Sequence, residues 1–275
     1  MPDADAEDPA LDDLALIAAA AEAAGRIALA FFGNQPRAWT KGADSPVTEA
    51  DIASDRYLFE TLLSARPDYG WLSEETADTP DRLTRERIFI VDPIDGTRGF
   101  MEGSLDWCVS VAVVERGRPI AGVLSVPARG ELFEATRGGG ARLNGRPLLA
   151  VAPEAGATLR FSGPMRHQRA FAAAGLAIGE RRVTPSLAYR LALVAAGRLE
   201  VATASPDARD WDLAAADLLV HEAGGTLHDA AGLPVRYNRP DPRHGALVAT
   251  VPGLADATAG PVGRAEAEAE RRRRS

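Results

Sequence analysis

The six residues Asp92-Pro93-Ile94-Asp95-Gly96-Thr97 place two carboxylates, a hydroxyl and a glycine turn directly after an apolar, strand-like run, residues 87–91. Carboxylates three residues apart can share or bridge oxygen-seeking ions such as Mg²⁺, and the Ile94 carbonyl offers another hard oxygen ligand. Pro93 stiffens the turn, while Gly96 lets backbone come close to a ligand. A helix starting near Gly96 would aim its free N–H groups, and the positive end of its dipole, at a phosphate. Cation and anion chemistry would then share one short segment. Asp-Pro and Asp-Gly are also ordinary turn dipeptides, so this segment alone does not separate a site from a turn.

Other acids stand where such a site would want them, on elements that must converge with the first. Val47-Thr48-Glu49-Ala50-Asp51 opens an expected helix, Ser73-Glu74-Glu75 ends an expected strand, and Trp211-Asp212 precedes an apolar helix closed by Gly224-Gly225. Each also has a local explanation. Thr48 with Asp51 reads as a capping box, Asp212 as a helix N-cap and Glu74-Glu75 as a solvated pair.

In the order and spacing of these four segments the sequence resembles the inositol monophosphatase superfamily. Its members are Mg²⁺-dependent, lithium-sensitive phosphatases and include the 3′(2′),5′-bisphosphate nucleotidases. The resemblance runs from about Leu11 to Val251 and is most specific in residues 92–97 and 211–225. It implies that Glu74, Asp92, the Ile94 carbonyl, Asp95 and Asp212 hold two or three Mg²⁺ ions. It further implies that Asp51, Thr97 and Glu74 act in catalysis, with Glu75 in the surrounding network and the amides of Gly96 and Thr97 holding phosphate. The implied fold is α/β, a layered αβαβα sandwich, and the implied assembly a homodimer.

The chemistry is sound on its own physics. A phosphomonoester dianion repels hydroxide and loses its leaving group reluctantly, so positioning and positive charge supply most of the catalysis. Clustered carboxylates repel one another, which raises their pKa values and predicts that metal binding weakens in acid. Thr97 can relay a hydrogen bond from a water to Asp51. Cys108 lies in an apolar strand-like run and reads as a buried core residue, not a nucleophile.

Substrate contacts are expected in the second half, from Ser186, Arg190 and Arg209, because a guanidinium fork suits phosphate oxygens. The segments Ser186-Leu187-Ala188-Tyr189-Arg190 and Tyr237-Asn238-Arg239-Pro240 look closer to bacterial bisphosphate nucleotidases than to inositol phosphatases. The resemblance therefore points to hydrolysis of 3′-phosphoadenosine 5′-phosphate to AMP and phosphate. Inositol-1-monophosphatase and histidinol-phosphatase activities are alternatives on the same scaffold, and a non-catalytic phosphate-ligand sensor is an alternative of another class. His167, His221, His228 and His244 show no ligand spacing and read as core or surface residues.

The elements that must position these residues read as mixed α and β. Helices are expected over 11–32, 48–65, 168–174, 187–196 and after Asp212, and strands over 69–73, 87–91, 107–115, 119–126, 132–136, 158–162, 182–184 and 200–203. The first half looks like a meander and the second alternates strand and helix. Gly138-Gly139-Gly140 lacks the Lys-Ser/Thr of a phosphate loop and reads as a turn. The divisions drawn are a flexible 1–10, a first half over 11–150 carrying most ligands, a second half over 151–255, and a disordered or frayed tail over 256–275. The cleft is expected where the two halves meet.

With 275 residues the chain can bury a substantial core, and its single cysteine excludes an internal disulfide. No run of about eighteen uncharged apolar residues occurs and no signal peptide is legible, so a cytoplasmic protein without a membrane span is expected. A formal charge of −8 argues against general nucleic-acid binding but admits a small phosphorylated metabolite, since bound Mg²⁺ inverts the local field.

Overall fold

The computed structural model describes residues 9–34, 36–41 and 45–274. The first half opens with helix α1 (Pro9–Phe31), the antiparallel pair β1 (Ala38–Lys41) and β2 (Ser45–Thr48), and helix α2 (Glu49–Ala65). A seven-stranded sheet follows, in the order β3 (Gly70–Ser73), β4 (Arg87–Asp95), β5 (Cys108–Glu115), β6 (Arg118–Val126), β7 (Glu131–Thr136), β8 (Gly140–Leu143) and β9 (Arg146–Pro147). From β4 onward it is the expected antiparallel meander, with β3 added in parallel. The five-residue helix α3 (Thr97–Met101) sits between β4 and β5.

The second half contributes β10 (Leu159–Ser162), α4 (Met165–Ala173), β11 (Ile178–Arg182), α5 (Leu187–Ala195), β12 (Val201–Ala204), α6 (Asp210–Glu222), β13 (Thr226–Asp229), β14 (Leu247–Thr250) and α7 (Ala255–Arg274). Its five strands form a mixed sheet in the order β11-β10-β12-β14-β13.

Strand alternation explains the layering. Phe89 and Val91 of β4 face Ile17, Ala21, Leu58 and Leu62 of α1 and α2, whereas Ile88 and Ile90 face Leu191, Leu213 and Leu219 of α5 and α6. The opposite side of α5 and α6 meets Ala202, Leu227 and Ala249 of the second sheet. That sheet's outer face buries Phe161, Val201 and Val248 against Phe171 of α4 and Val262 of α7. The layers are thus α1/α2, seven-stranded sheet, α5/α6, five-stranded sheet and α4/α7, the αβαβα arrangement. The α6 backbone comes very close to the first sheet at Gly122, where an added Cβ would lie 3.0 Å from Ala215 Cα.

Several features depart from expectation. The tail expected to be disordered or frayed is helix α7, because its inner face has something to bury: Thr258, Pro261 and Val262 are covered, and Glu266 accepts from Arg166 and pairs with the buried His167 of α4. The strand placed over 182–184 lies earlier, at Ile178–Arg182, since β-branched Val183 and Thr184 outweighed the true pairing partners of β10. Helix α1 contains one stretch, Ala10–Phe31, long and apolar enough to span a membrane by length and composition. In the fold its stripe of Ile17, Ala20, Ala21, Ala24 and Ala28 is buried.

Candidate active site

The site is built where β4 ends. Strand β4 pairs with β5 up to Asp92↔Ser110, loses register, and pairs again at Asp95↔Cys108. Pro93 has no N–H to give a ladder, and the irregularity aims Asp92 and Asp95 at the same place. Asp92 Oδ1 accepts from Ile94 N at 3.0 Å, a local turn that fixes the carboxylate. Gly96 follows at φ 96°, a left-handed conformation that most residues resist, and caps α3.

Asp212 arrives from the middle layer. It is the third residue of α6, not the N-cap, and its Oδ2 accepts from Arg209 N at 2.7 Å. Asp92, Asp95 and Asp212 each present a carboxylate oxygen within 4.8 Å of the other two. Burial pushes all three pKa values up; repulsion from neighbouring acids adds to the rise at Asp92 and Asp212, whereas the Ser186 hydroxyl and the α5 amides hold the Asp95 value back. Glu74 directly follows β3 beside them; burial, then Glu75, raises its pKa to about 7, with Asp95 and Asp51 contributing. A hard-oxygen set that resists carrying its own charge suits a divalent cation, which would relieve the repulsion.

Asp51 lies against this cluster, buried at the start of α2. Its Oδ2 accepts from Thr48 N at 2.7 Å and Thr48 Oγ1 at 2.6 Å, so the capping box is real. Its Oδ1 is 3.2 Å from Thr97 Oγ1, which also lies 3.0 Å from the Ile94 carbonyl. The cap and the Asp51–Thr97 pair are therefore one structure: Thr48 holds one carboxylate oxygen so that the other faces Thr97. Desolvation raises the Asp51 pKa, which makes it a better proton acceptor than an exposed aspartate.

Asp95 is held from the second half. Its Oδ2 accepts from Ser186 Oγ and, at 2.6 Å, from Ala188 N at the start of α5. Ser186 is fully buried and caps α5 by accepting from Tyr189 N at 3.0 Å. Its expected role as a substrate contact is corrected to orienting Asp95. Arg190 is likewise spent internally, donating to Thr203 O at 3.0 Å and Thr184 O at 2.7 Å. Arg209 lies with its guanidinium 5.9 Å from the Trp211 ring centroid, beside Asp212.

Sequence reasoning missed several supports. Asp55, one turn after Asp51 on α2, accepts from Ser73 Oγ and, at 2.7 Å, from Thr76 Oγ1, pinning the loop that carries Glu74 and Glu75. The i, i+4 spacing from Asp51 was its signal. Lys41 Nζ reaches Glu75 Oε2 at 3.4 Å, which no local pattern betrays. Asp210 is fully buried, with Oδ1 2.6 Å from His244 Nε2 and Oδ2 accepting from Asn238 N at 2.7 Å, fixing the first turn of α6. Tyr237 is buried with its hydroxyl on Asp217 Oδ2 at 2.8 Å, so the Tyr-Asn segment supports α6. Cys108 is buried with a raised pKa, as a core thiol should be. The Gly138 and Gly140 amides donate to the Glu222 carboxylate at 2.8 and 2.9 Å, as in a turn and not a phosphate loop.

Residues 11–262 match the model of the inositol monophosphatase family. The chain belongs to that family. Its relatives include a histidinol-phosphatase of Chlorobaculum parvum, 35% identical over 239 residues covering 80% of this chain and 86% of that protein. An inositol-1-monophosphatase of Rhizobium meliloti is 38% identical over 202 residues, 70% of this chain and 75% of that protein. Among solved structures, the Thermotoga maritima IMPase superposes with a TM-score of 0.80 at 25% identity, over 94% of this chain and 99% of that one. As a member of the family, the protein is a phosphoric monoester hydrolase.

Proposed function

We propose that the protein is a Mg²⁺-dependent phosphomonoesterase for a compact monophosphate, with histidinol phosphate the first substrate to test. The observation that carries the reading is the Asp51–Thr97 pair, 3.2 Å apart, set against the convergent Asp92, Asp95 and Asp212. The donor set is all hard oxygen, from Glu74, Asp92, the Ile94 carbonyl, Asp95 and Asp212, which suits two or three Mg²⁺ ions. When bound, they would supply positive charge for the phosphate and acidify water. The amides of Gly96 and Thr97, at the start of α3, hold phosphate oxygens by donation. Thr97 orients the attacking water and Asp51 receives its proton. Ser186 and Thr48 keep Asp95 and Asp51 in place and touch no substrate.

The bisphosphate nucleotidase reading needs a clamp for a second phosphate. With Ser186 and Arg190 committed to internal bonds, Arg209 is left alone for that work. A chain of charge −8 also favours a leaving group that is neutral or cationic, and histidinol carries an ammonium group. The wide coverage of the histidinol-phosphatase relative supports the same choice over the inositol monophosphate alternative. The protein would work in the cytoplasm as a homodimer; light scattering tests the assembly.

The deciding assay is Mg²⁺-dependent phosphate release from histidinol phosphate, inositol 1-phosphate and 3′-phosphoadenosine 5′-phosphate. The highest kcat/KM is expected for histidinol phosphate. Fastest release from the nucleotide would return the function to bisphosphate nucleotidase, and binding without release from any of the three would mark a sensor.

A further inference from the structure

A cavity of about 700 Å³ lies between the short 3-10 helix Pro80–Thr84, the turn from β5 to β6 and the segment 236–239. Arg85, Arg116, Arg236 and Arg239 line it, with Glu86 as the acid among its lining residues. This is an unexpected place for four arginines to gather. The chain carries 39 acidic residues to 31 basic ones, and elsewhere arginines pair with that surplus, as Arg66 and Arg87 do with Asp13 and Arg198 with Glu131. Here Arg116 takes Glu86 at 2.7 Å and Arg239 donates to the Arg243 carbonyl at 2.6 Å. The guanidinium groups of Arg85 and Arg236 have no hydrogen-bond or ion-pair partner among the described residues. Like charges brought together without a counter-charge repel, and an anion relieves that cost.

The walls are fixed in advance. Arg82, 2% exposed, grips Asp78 with Nε at 2.6 Å and Asn238 Oδ1 with an Nη at 2.6 Å, and donates to the Arg239 carbonyl at 3.0 Å. Tyr237 N donates to Gly117 O at 3.2 Å, tying the segment to the β5–β6 turn. Glu86 immediately precedes β4 and stands six residues before Asp92, about 20 Å of extended chain, so this rim lies at the other end of the strand from the acidic cluster.

We infer that this cavity is a second anion site that takes a small polyphosphorylated molecule, gripped by the forks of Arg85 and Arg236 with Arg116 and Arg239 at the rim. Its volume falls in the range of small-ligand sites, and planar guanidinium groups match phosphate oxygens in bidentate pairs. The inference is independent of the phosphatase reading, because the two sites share no proposed ligand residue.

Titration calorimetry with inorganic tripolyphosphate in excess EDTA separates them: without divalent cations the catalytic cleft is a cluster of carboxylates that repels the anion. The wild-type protein is expected to bind under these conditions, and the double variant Arg85→Gln/Arg236→Gln to bind at least about tenfold more weakly. Both side chains are solvent-facing, so the variant should keep its melting temperature and its Mg²⁺-dependent phosphatase kcat/KM. No binding by the wild type in EDTA, or equal affinity in the variant, overturns the site. Tighter binding of a short single-stranded RNA than of tripolyphosphate, abolished in the same variant, overturns the small-molecule assignment.

Discussion

At the scale of single residues, the site depends on carboxylates whose oxygens have divided duties. Asp95 gives Oδ2 to the Ser186 hydroxyl and the Ala188 amide, which fixes the plane of the group. Asp95→Asn can keep those bonds through its amide oxygen while losing the charge. Phosphate release should fall by more than about a hundredfold with the melting temperature nearly unchanged, since losing a ligand should cost at least as much as losing its support. Wild-type turnover in that variant would remove Asp95 from the ligand set. Ser186→Ala tests the corrected role of the serine. An orienting residue should raise the Mg²⁺ concentration for half-maximal activity about 10- to 100-fold and leave substrate KM at saturating Mg²⁺ unchanged; a substrate contact would move KM instead. Individual acids were legible because carboxylates, a turn glycine and a threonine in six residues are hard to explain otherwise. The fates of Ser186 and Arg190 were not, because both groups bond to partners 6 to 91 residues away in sequence, at positions that no local pattern encodes.

At the scale of elements, two helix starts and one broken strand bring the acids together. Gly96 is the tightest joint: at φ 96° an added Cβ would meet Ser186 N at 3.0 Å, so both the backbone and the α5 contact oppose any larger residue. Gly96→Ala should destabilise the fold by about 1–3 kcal/mol, read from urea denaturation, and displace α3 enough to depress kcat. A neutral effect on both would show that the turn tolerates displacement. Strands β4 to β7 were readable within a residue or two at most ends because their alternation serves two buried faces, each with its own helix pair. Strand β4 ran on to Asp95 where Pro93 suggested a stop, since a register shift absorbs the missing N–H. Helix α7 escaped notice because its apolar face is alanines, one proline and one valine, too weak a pattern to stand out from a charged tail.

At the scale of the whole molecule, the two sheets share helices α5 and α6, and the acids of the first sheet meet Asp212 from that shared layer. Folding therefore forces like charges together. Carboxylates whose pKa values rise on folding bind protons more readily folded than unfolded, so without metal the folded state gains protons relative to the unfolded one. Stability of the metal-free protein should then fall as pH rises from the usual carboxylate range, 4.5 for a glutamate, through the Glu74 value of about 7. In EDTA the melting temperature should drop between pH 5 and pH 8, and Mg²⁺ should restore more of it at pH 8 than at pH 5. A flat profile in EDTA would mean that the cluster is not strained by its own charge. Central to the whole account is that acids from distant elements cage divalent cations, and anomalous diffraction from crystals grown with Mn²⁺ tests it most directly. The expected result is ion density at about 2.1 Å from oxygens of Asp92, Asp95 and Asp212; well-ordered carboxylates with manganese bound only elsewhere would contradict it.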